Sequence, residues 1–201
     1  MNSVLSIAAL VVSAIALVFT FLKDFIIPFF CKPKFDFEYK EKPPFRRENL
    51  RINRTENKGT FLRFLVKNIG KKPAINCRCQ ILKVKKDGKN YGDYQGFPLK
   101  WAGRPEYIIN QASGERLNLA QGEIEFIDLA ATRDDRKGCI VLQKYHDVDI
   151  GIKEEVTFGR YEILLIFSGD NFKPYKLLFE IEKDDSLDIN GVKLKLLNYC
   201  Q

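Results

Sequence analysis

Histidine is almost absent from this chain: His146 is the single imidazole in 201 residues. It stands in KYHDVD with Asp147 and Asp149 close by, the residue types of a base oriented by a carboxylate. No G-x-S-x-G or comparable nucleophile context accompanies it, so it reads as a solvent-facing loop histidine. Glycine-rich phosphate loops are lacking too. KKDGKNYGDYQG has the glycines but not the spacing or the helix-forming context. Asp134-Asp135 and Asp184-Asp185 lack the glycine and distal glutamate of a calcium loop and read as solvated turns. There is no internal repeat and no low-complexity tail.

Cysteine is present but odd in number: Cys31, Cys77, Cys79, Cys139 and Cys200. An extracellular chain would leave one thiol unpaired, whereas a reducing compartment can keep all five free. Cys77-x-Cys79 is half of a soft-metal pattern, since both side chains of a strand separated by two residues face one way. A tetrahedral site needs four ligands, and only Cys31, Cys139, Cys200 and His146 remain. Packing as small apolar residues is the reading for the pair. No catalytic, cofactor or metal residues are assigned.

Charge is lacking from Val4 to Leu22, nineteen consecutive residues. At 1.5 Å per residue such a helix spans roughly 30 Å, the thickness of a bilayer core. No basic n-region precedes it and no small-residue cleavage site follows, so it reads as an uncleaved transmembrane anchor. Basic residues lie on its C-terminal side, from Lys23 to Arg47. That asymmetry predicts a large domain on the cytoplasmic side, with residues 4–30 in contact with the lipid bilayer. Ser6, Ala9, Ser13 and Ala16 recur at helical spacing and permit homo-oligomer contacts.

The formal charge is +7 and unevenly spread. Residues 32–104 hold twenty Lys and Arg against seven Asp and Glu, and residues 105–201 hold twelve against eighteen. Attraction of the basic half to anionic lipid explains this economically. The basic residues are dispersed over linker, strands and turns without a recognisable reading element, which argues against a nucleic-acid partner.

Past residue 32 no segment keeps a helical period over three turns. Short alternating stretches recur, each bounded by turn residues. Phe35, Phe37 and Tyr39 alternate with Asp36, Glu38 and Lys40. The polar RRENLRINRTENKG reads as a loop or edge segment. TFLRFLVKNIG, residues 60–70, and AINCRCQILKV, residues 74–84, are strands, the latter with Ile75, Cys77, Cys79 and Ile81 on one face. Asp87-Gly88 is a hairpin signal. Tyr161, Ile163, Leu165 and Phe167 share one face of a strand that returns through a loop of about five to seven residues to Tyr175, Leu177, Phe179 and Ile181. VKLKLLNY, residues 192–199, is the last strand.

FLRFLVKNIGKKPAINCRCQI, with Val66, Asn68, Gly70, Ala74 and Cys77, resembles the V-x-N-x-G signature of immunoglobulin-like adhesion and surface modules. GRYEILLIFSGDNFKP resembles their penultimate strand and turn, with Gly159, Tyr161, Gly169, Asp170, Asn171 and Pro174. The likeness is to single-pass membrane-anchored prokaryotic proteins with one immunoglobulin-like β-sandwich domain. It implies an antiparallel sandwich and no shared catalytic residues.

These observations predict an all-β fold, an immunoglobulin-like antiparallel sandwich over residues 32–201, preceded by one transmembrane helix and an interfacial segment over residues 1–31. The expected function is a membrane-anchored, non-enzymatic protein-recognition or scaffolding module with an unidentified protein partner. Alternatives are an extracytoplasmic adhesion or envelope module, or a small effector or enzyme domain. A partner would dock by strand addition at a sheet edge or on the aromatic set Tyr91, Tyr94, Phe97, Trp101 and Tyr107.

Overall fold

A computed structural model describes residues 2–26, 31–51, 56–92, 94, 96–103, 116–143 and 155–200, with backbone alone at residues 2–6, 8, 25, 137 and 155. Past residue 31 the strands are β1 (Phe35–Glu38), β2 (Arg46–Arg51), β3 (Lys58–Asn68), β4 (Ala74–Lys86), β5 (Lys89–Asn90), β6 (Phe97–Pro98) and β7 (Lys100–Trp101). Then follow β8 (Leu117–Leu119), β9 (Ile124–Arg133), β10 (Arg136–Leu142), β11 (Glu155–Val156), β12 (Gly159–Ser168), β13 (Tyr175–Lys183) and β14 (Val192–Cys200). One sheet runs β1-β3-β9-β10-β11, with β2 on β3 and β7 on β9. The other runs β14-β13-β12-β4-β5, with β6 and β8 on β4.

Period-two apolar alternation turns one side of each sheet inward. Tyr161, Ile163, Leu165 and Phe167 of β12 are buried, as are Tyr175, Leu177, Phe179 and Ile181 of β13. Leu62, Phe64 and Val66 of β3 meet them from the facing sheet. Rings cross the interlayer space: Phe64 lies 4.9 Å from Phe179, and Phe35 lies 4.8 Å from Phe167. The two sheets thus pack as layers of an all-β, sandwich-like domain around one apolar core.

The expected turn at Asp87-Gly88 is a two-residue hairpin joining β4 to β5, with φ of 49° and 78°. Both central residues at positive φ match the twist of the flanking strands. The face expected for β4 is corrected at its start. Ala74 is fully buried and Ile75 is 43% exposed, because Asn76 takes φ of 54° and a register shift separates Ala74 from Cys77. One extra residue in a strand transfers everything before it to the opposite face.

The membrane expectation is also corrected. A helix, α1, covers Asn2–Phe21 and runs into a π-helical turn at Leu22–Ile26. Among the described residues, no helix is long and apolar enough to cross a membrane. The single-pass topology, the lipid contact through residues 4–30, the membrane localisation and the cytoplasmic placement derived from that topology are withdrawn with it.

A polar latch joins the layers at the β13–β14 connection. The Arg46 guanidinium donates to the carbonyls of Val192 and Asn190, each at 2.6 Å, and to Glu41 and Glu48 at 2.5 and 2.7 Å. Thr60 donates to Asn190 Oδ1 at 2.6 Å, and Thr132 donates to the Ile189 carbonyl. Lys183 continues the inward phase of β13, so its ammonium is buried. It is held by Asp184 Oδ1 and the Ser186 carbonyl, both at 2.8 Å. A buried charge is tolerated only when oxygens replace its hydration.

Hydrogen bonds from Lys183 and Ser186 hold the Asp184 carboxyl down at about 2. A carboxyl lowered on folding stabilises the fold above its ordinary range near about 4, and that contribution fades as pH falls toward the folded value. Lys183→Met is expected to flatten this acid limb in plots of Tm against pH. A limb of unchanged slope between pH ~4 and ~2 would show that the ammonium does not hold Asp184.

Candidate interaction edge

The sequence-predicted aromatic set divides by position. Tyr94, Phe97 and Trp101 are 4%, 1% and 1% exposed. Trp101 sits on β7 beside Ile127 and meets Phe167 edge-on at 6.3 Å, while Tyr94 lies 6.0 Å from Phe97. Burial pushes the Tyr94 hydroxyl up to about 12. These three rings form core in this arrangement. Tyr91 is half-buried, 5.2 Å from the Tyr161 ring. The Lys86 ammonium stands 6.0 Å from Tyr91, 5.8 Å from Phe158 and 5.4 Å from Tyr161, within cation–π range. It also donates to Thr157 Oγ1 and the Phe158 carbonyl, both at 3.1 Å, so this cluster is filled by the protein's own lysine. Tyr107, His146, Asp147 and Asp149 lie outside the described residues.

Cys77 and Cys79 face the core, and burial pushes the Cys77 thiol up to about 12 and the Cys79 thiol higher still. Such thiols are poor nucleophiles and poor metal ligands, because both roles need thiolate. Asp135 is paired bidentately with Arg133 at 2.9 and 2.7 Å. Among the described residues, no group of three or more His, Cys, Asp or Glu side chains is placed to hold a metal ion.

The V-x-N-x-G motif has a structural use. Asn68 is fully buried and donates to the carbonyls of Lys72 and Leu119 at 2.8 and 3.0 Å, while its Oδ1 accepts from the Gly70 amide at 3.0 Å. A Cβ at Gly70 would lie 2.3 Å from the Lys34 nitrogen, so only glycine lets residues 32–34 pass this close.

What is left open is an edge. β14 pairs with β13 alone among the described strands. The Asp184 amide donates to the Gly191 carbonyl at 3.4 Å, which sets the phase of the ladder. Antiparallel pairs alternate between hydrogen-bonded and non-bonded positions. Val192, Leu194 and Leu196 therefore turn their N–H and C=O groups away from β13. Arg46 occupies the Val192 carbonyl, and no described strand takes those of Leu194 and Leu196.

The chain matches no protein-family model, no curated protein and no solved structure. The likeness to membrane-anchored immunoglobulin-like proteins is therefore corrected. Neither a matching relative nor a membrane-crossing helix among the described residues accompanies it. Its quoted residues do other work here, with Asn68 and Gly70 holding a turn against the 32–34 segment.

Around the edge, the outer face of the second sheet is concave in two places. A cavity of about 480 Å³ is lined by Glu41, Glu180, Glu182, Lys193, Leu194 and Lys195. A second, of about 340 Å³, is lined by Lys83, Lys85, Glu162, Leu164 and Leu178. The first lies on the open strand itself. Residue spacing showed β14 as a strand. The order of the strands, which leaves it last in its sheet, is set by pairing across the whole chain.

Proposed function

We propose that this all-β domain is a protein-interaction module that accepts an extended segment of a partner along the free edge of β14. The observation that supports this most directly is the outward-facing N–H and C=O groups of Leu194 and Leu196, unpaired with any described strand and beside a cavity of about 480 Å³. Strand addition draws affinity from main-chain hydrogen bonds and specificity from alternate side chains. The aromatic set makes a weaker candidate, since three of its five rings are inside the core.

A neutral eight-residue peptide alternating Val and Thr tests the edge without presupposing a charge preference. Hydrogen exchange of the full chain at saturating peptide is expected to slow at the amides of Leu194 and Leu196. Leu196→Pro removes one outward donor at an edge position where proline is tolerated. It is expected to abolish the slowing at the Leu194 amide while the chain remains folded by circular dichroism. Protection absent from both amides, or confined to another strand, would reject the edge as the site.

A further inference from the structure

We infer that the strand β14 accepts is one in which acidic residues alternate with apolar ones. This rests on the reading of β14 as the docking edge and adds the partner's chemistry. Leu194 and Leu196 face the layer interior, while Lys193 and Lys195 are exposed on the outer face. An arriving strand that bonds to the main chain of Leu194 sets its flanking residues opposite Lys193 and Lys195. Those are the non-hydrogen-bonded positions, where opposed side chains come closest.

The two ammonium groups are available for such pairing. Their cross-strand neighbours on β13 are Glu182 and Glu180, but Glu180 is engaged by Arg160 at 2.5 Å. Among the described residues, neither lysine lies within 4.0 Å of a carboxylate. β13 itself shows the complementary pattern, with Phe179 and Ile181 inward and Glu180 and Glu182 outward. A partner repeating that pattern would continue the sheet with the same alternation of layers. Like charges directly opposed across strands are unfavourable, so the same two residues favour an acidic strand and oppose a basic one. Glu41 at the cavity mouth does not cancel this, because Arg46 holds its carboxylate at 2.5 Å.

The test uses the full chain and three fluorescent eight-residue peptides, alternating Val with Glu, Thr or Lys. Fluorescence anisotropy is expected to show the Glu peptide binding about tenfold more tightly than the Thr peptide, two surface ion pairs being worth about that much. The Lys peptide is expected to be the weakest. Raising the salt concentration is expected to narrow the gap. The double substitution Lys193→Glu with Lys195→Glu, on exposed positions that leave the fold intact by thermal melting, is expected to reverse the order of the Glu and Lys peptides. Equal binding of all three, with Leu194 and Leu196 protected from exchange, would overturn the acidic preference and leave the edge standing. Binding of none, with no protection, would overturn both. A dimer by light scattering without peptide, with β14 amides protected, would make a second copy of this chain the occupant and overturn the proposal.

Discussion

Asn68→Ala is expected to lower stability by about 3 kcal/mol, because it takes the donor from two carbonyls and one of two acceptors from an amide at one buried turn. The carbonyls of Lys72 and Leu119 lose the Asn68 donor, and the Gly70 amide is left with the Lys34 carbonyl at 3.2 Å as its acceptor. Each such group costs about 1–3 kcal/mol when no water replaces the partner. The Lys72 carbonyl is near the surface and recovers water, so the total stays nearer the low end. For a domain of this size that corresponds to a fall in Tm of roughly 6–12 °C. Asn68→Asp separates hydrogen bonding from volume. It keeps the acceptor for Gly70 but sets a carboxylate against two carbonyls, so at neutral pH it is expected to be at least as harmful as alanine. Thermal unfolding by circular dichroism checks both. An alanine variant within about 0.5 kcal/mol of the parent would show that the turn does not depend on this side chain.

Arg46→Ala is expected to cost a similar amount, about 3 kcal/mol, by a different route. Its side chain is 11% exposed and carries charge-assisted bonds to two carbonyls of the β13–β14 connection and to two carboxylates. Removing it loosens the link between β2 in one sheet and β14 in the other. The Asn190 and Val192 carbonyls then depend on solvent. Exchange at the amides of residues 189–192 is expected to accelerate more than exchange at β12, which identifies a local opening. Arg46→Lys keeps the charge, but a single ammonium cannot span the same four acceptors. It is expected to restore less than half of the loss. Full restoration by lysine would mean that charge alone, without the planar fork, holds the latch. The substitution also bears on the docking edge, since Arg46 fills the Val192 carbonyl next to the open positions at Leu194 and Leu196.

The two residues show different limits of sequence reading. Asn68 was visible as part of a motif, but the motif was attributed to family likeness. Of its partners, Leu119, Gly122 and Glu123 are distant in sequence. Arg46 lies in a polar stretch that reads as a loop or edge segment, and β2 pairs with β3 alone among the described strands. Nothing local indicates that one of those charges reaches across to Val192. Lys183 was within reach of the alternation that placed Tyr175 to Ile181 inward, since it is the next residue in phase. It was missed because a lysine beside two aspartates reads as a solvated turn, and the oxygens that let it be buried come from a loop that only the folded chain forms.

Alternation with a period of two, together with turn residues such as Asp87-Gly88 and the loop after Ser168, determined from sequence alone that the described chain past residue 31 is built of antiparallel strands with apolar inner faces. Those signals are local: side-chain direction follows from the backbone pleat, and positive φ follows from residue type. The tertiary structure decided which strand ends a sheet, where a bulge turns Ile75 outward, and that Tyr94, Phe97 and Trp101 are spent on packing. Each of these depends on the register between residues far apart in sequence, where the free energy lies in cross-strand contacts and burial rather than in any residue's own preference.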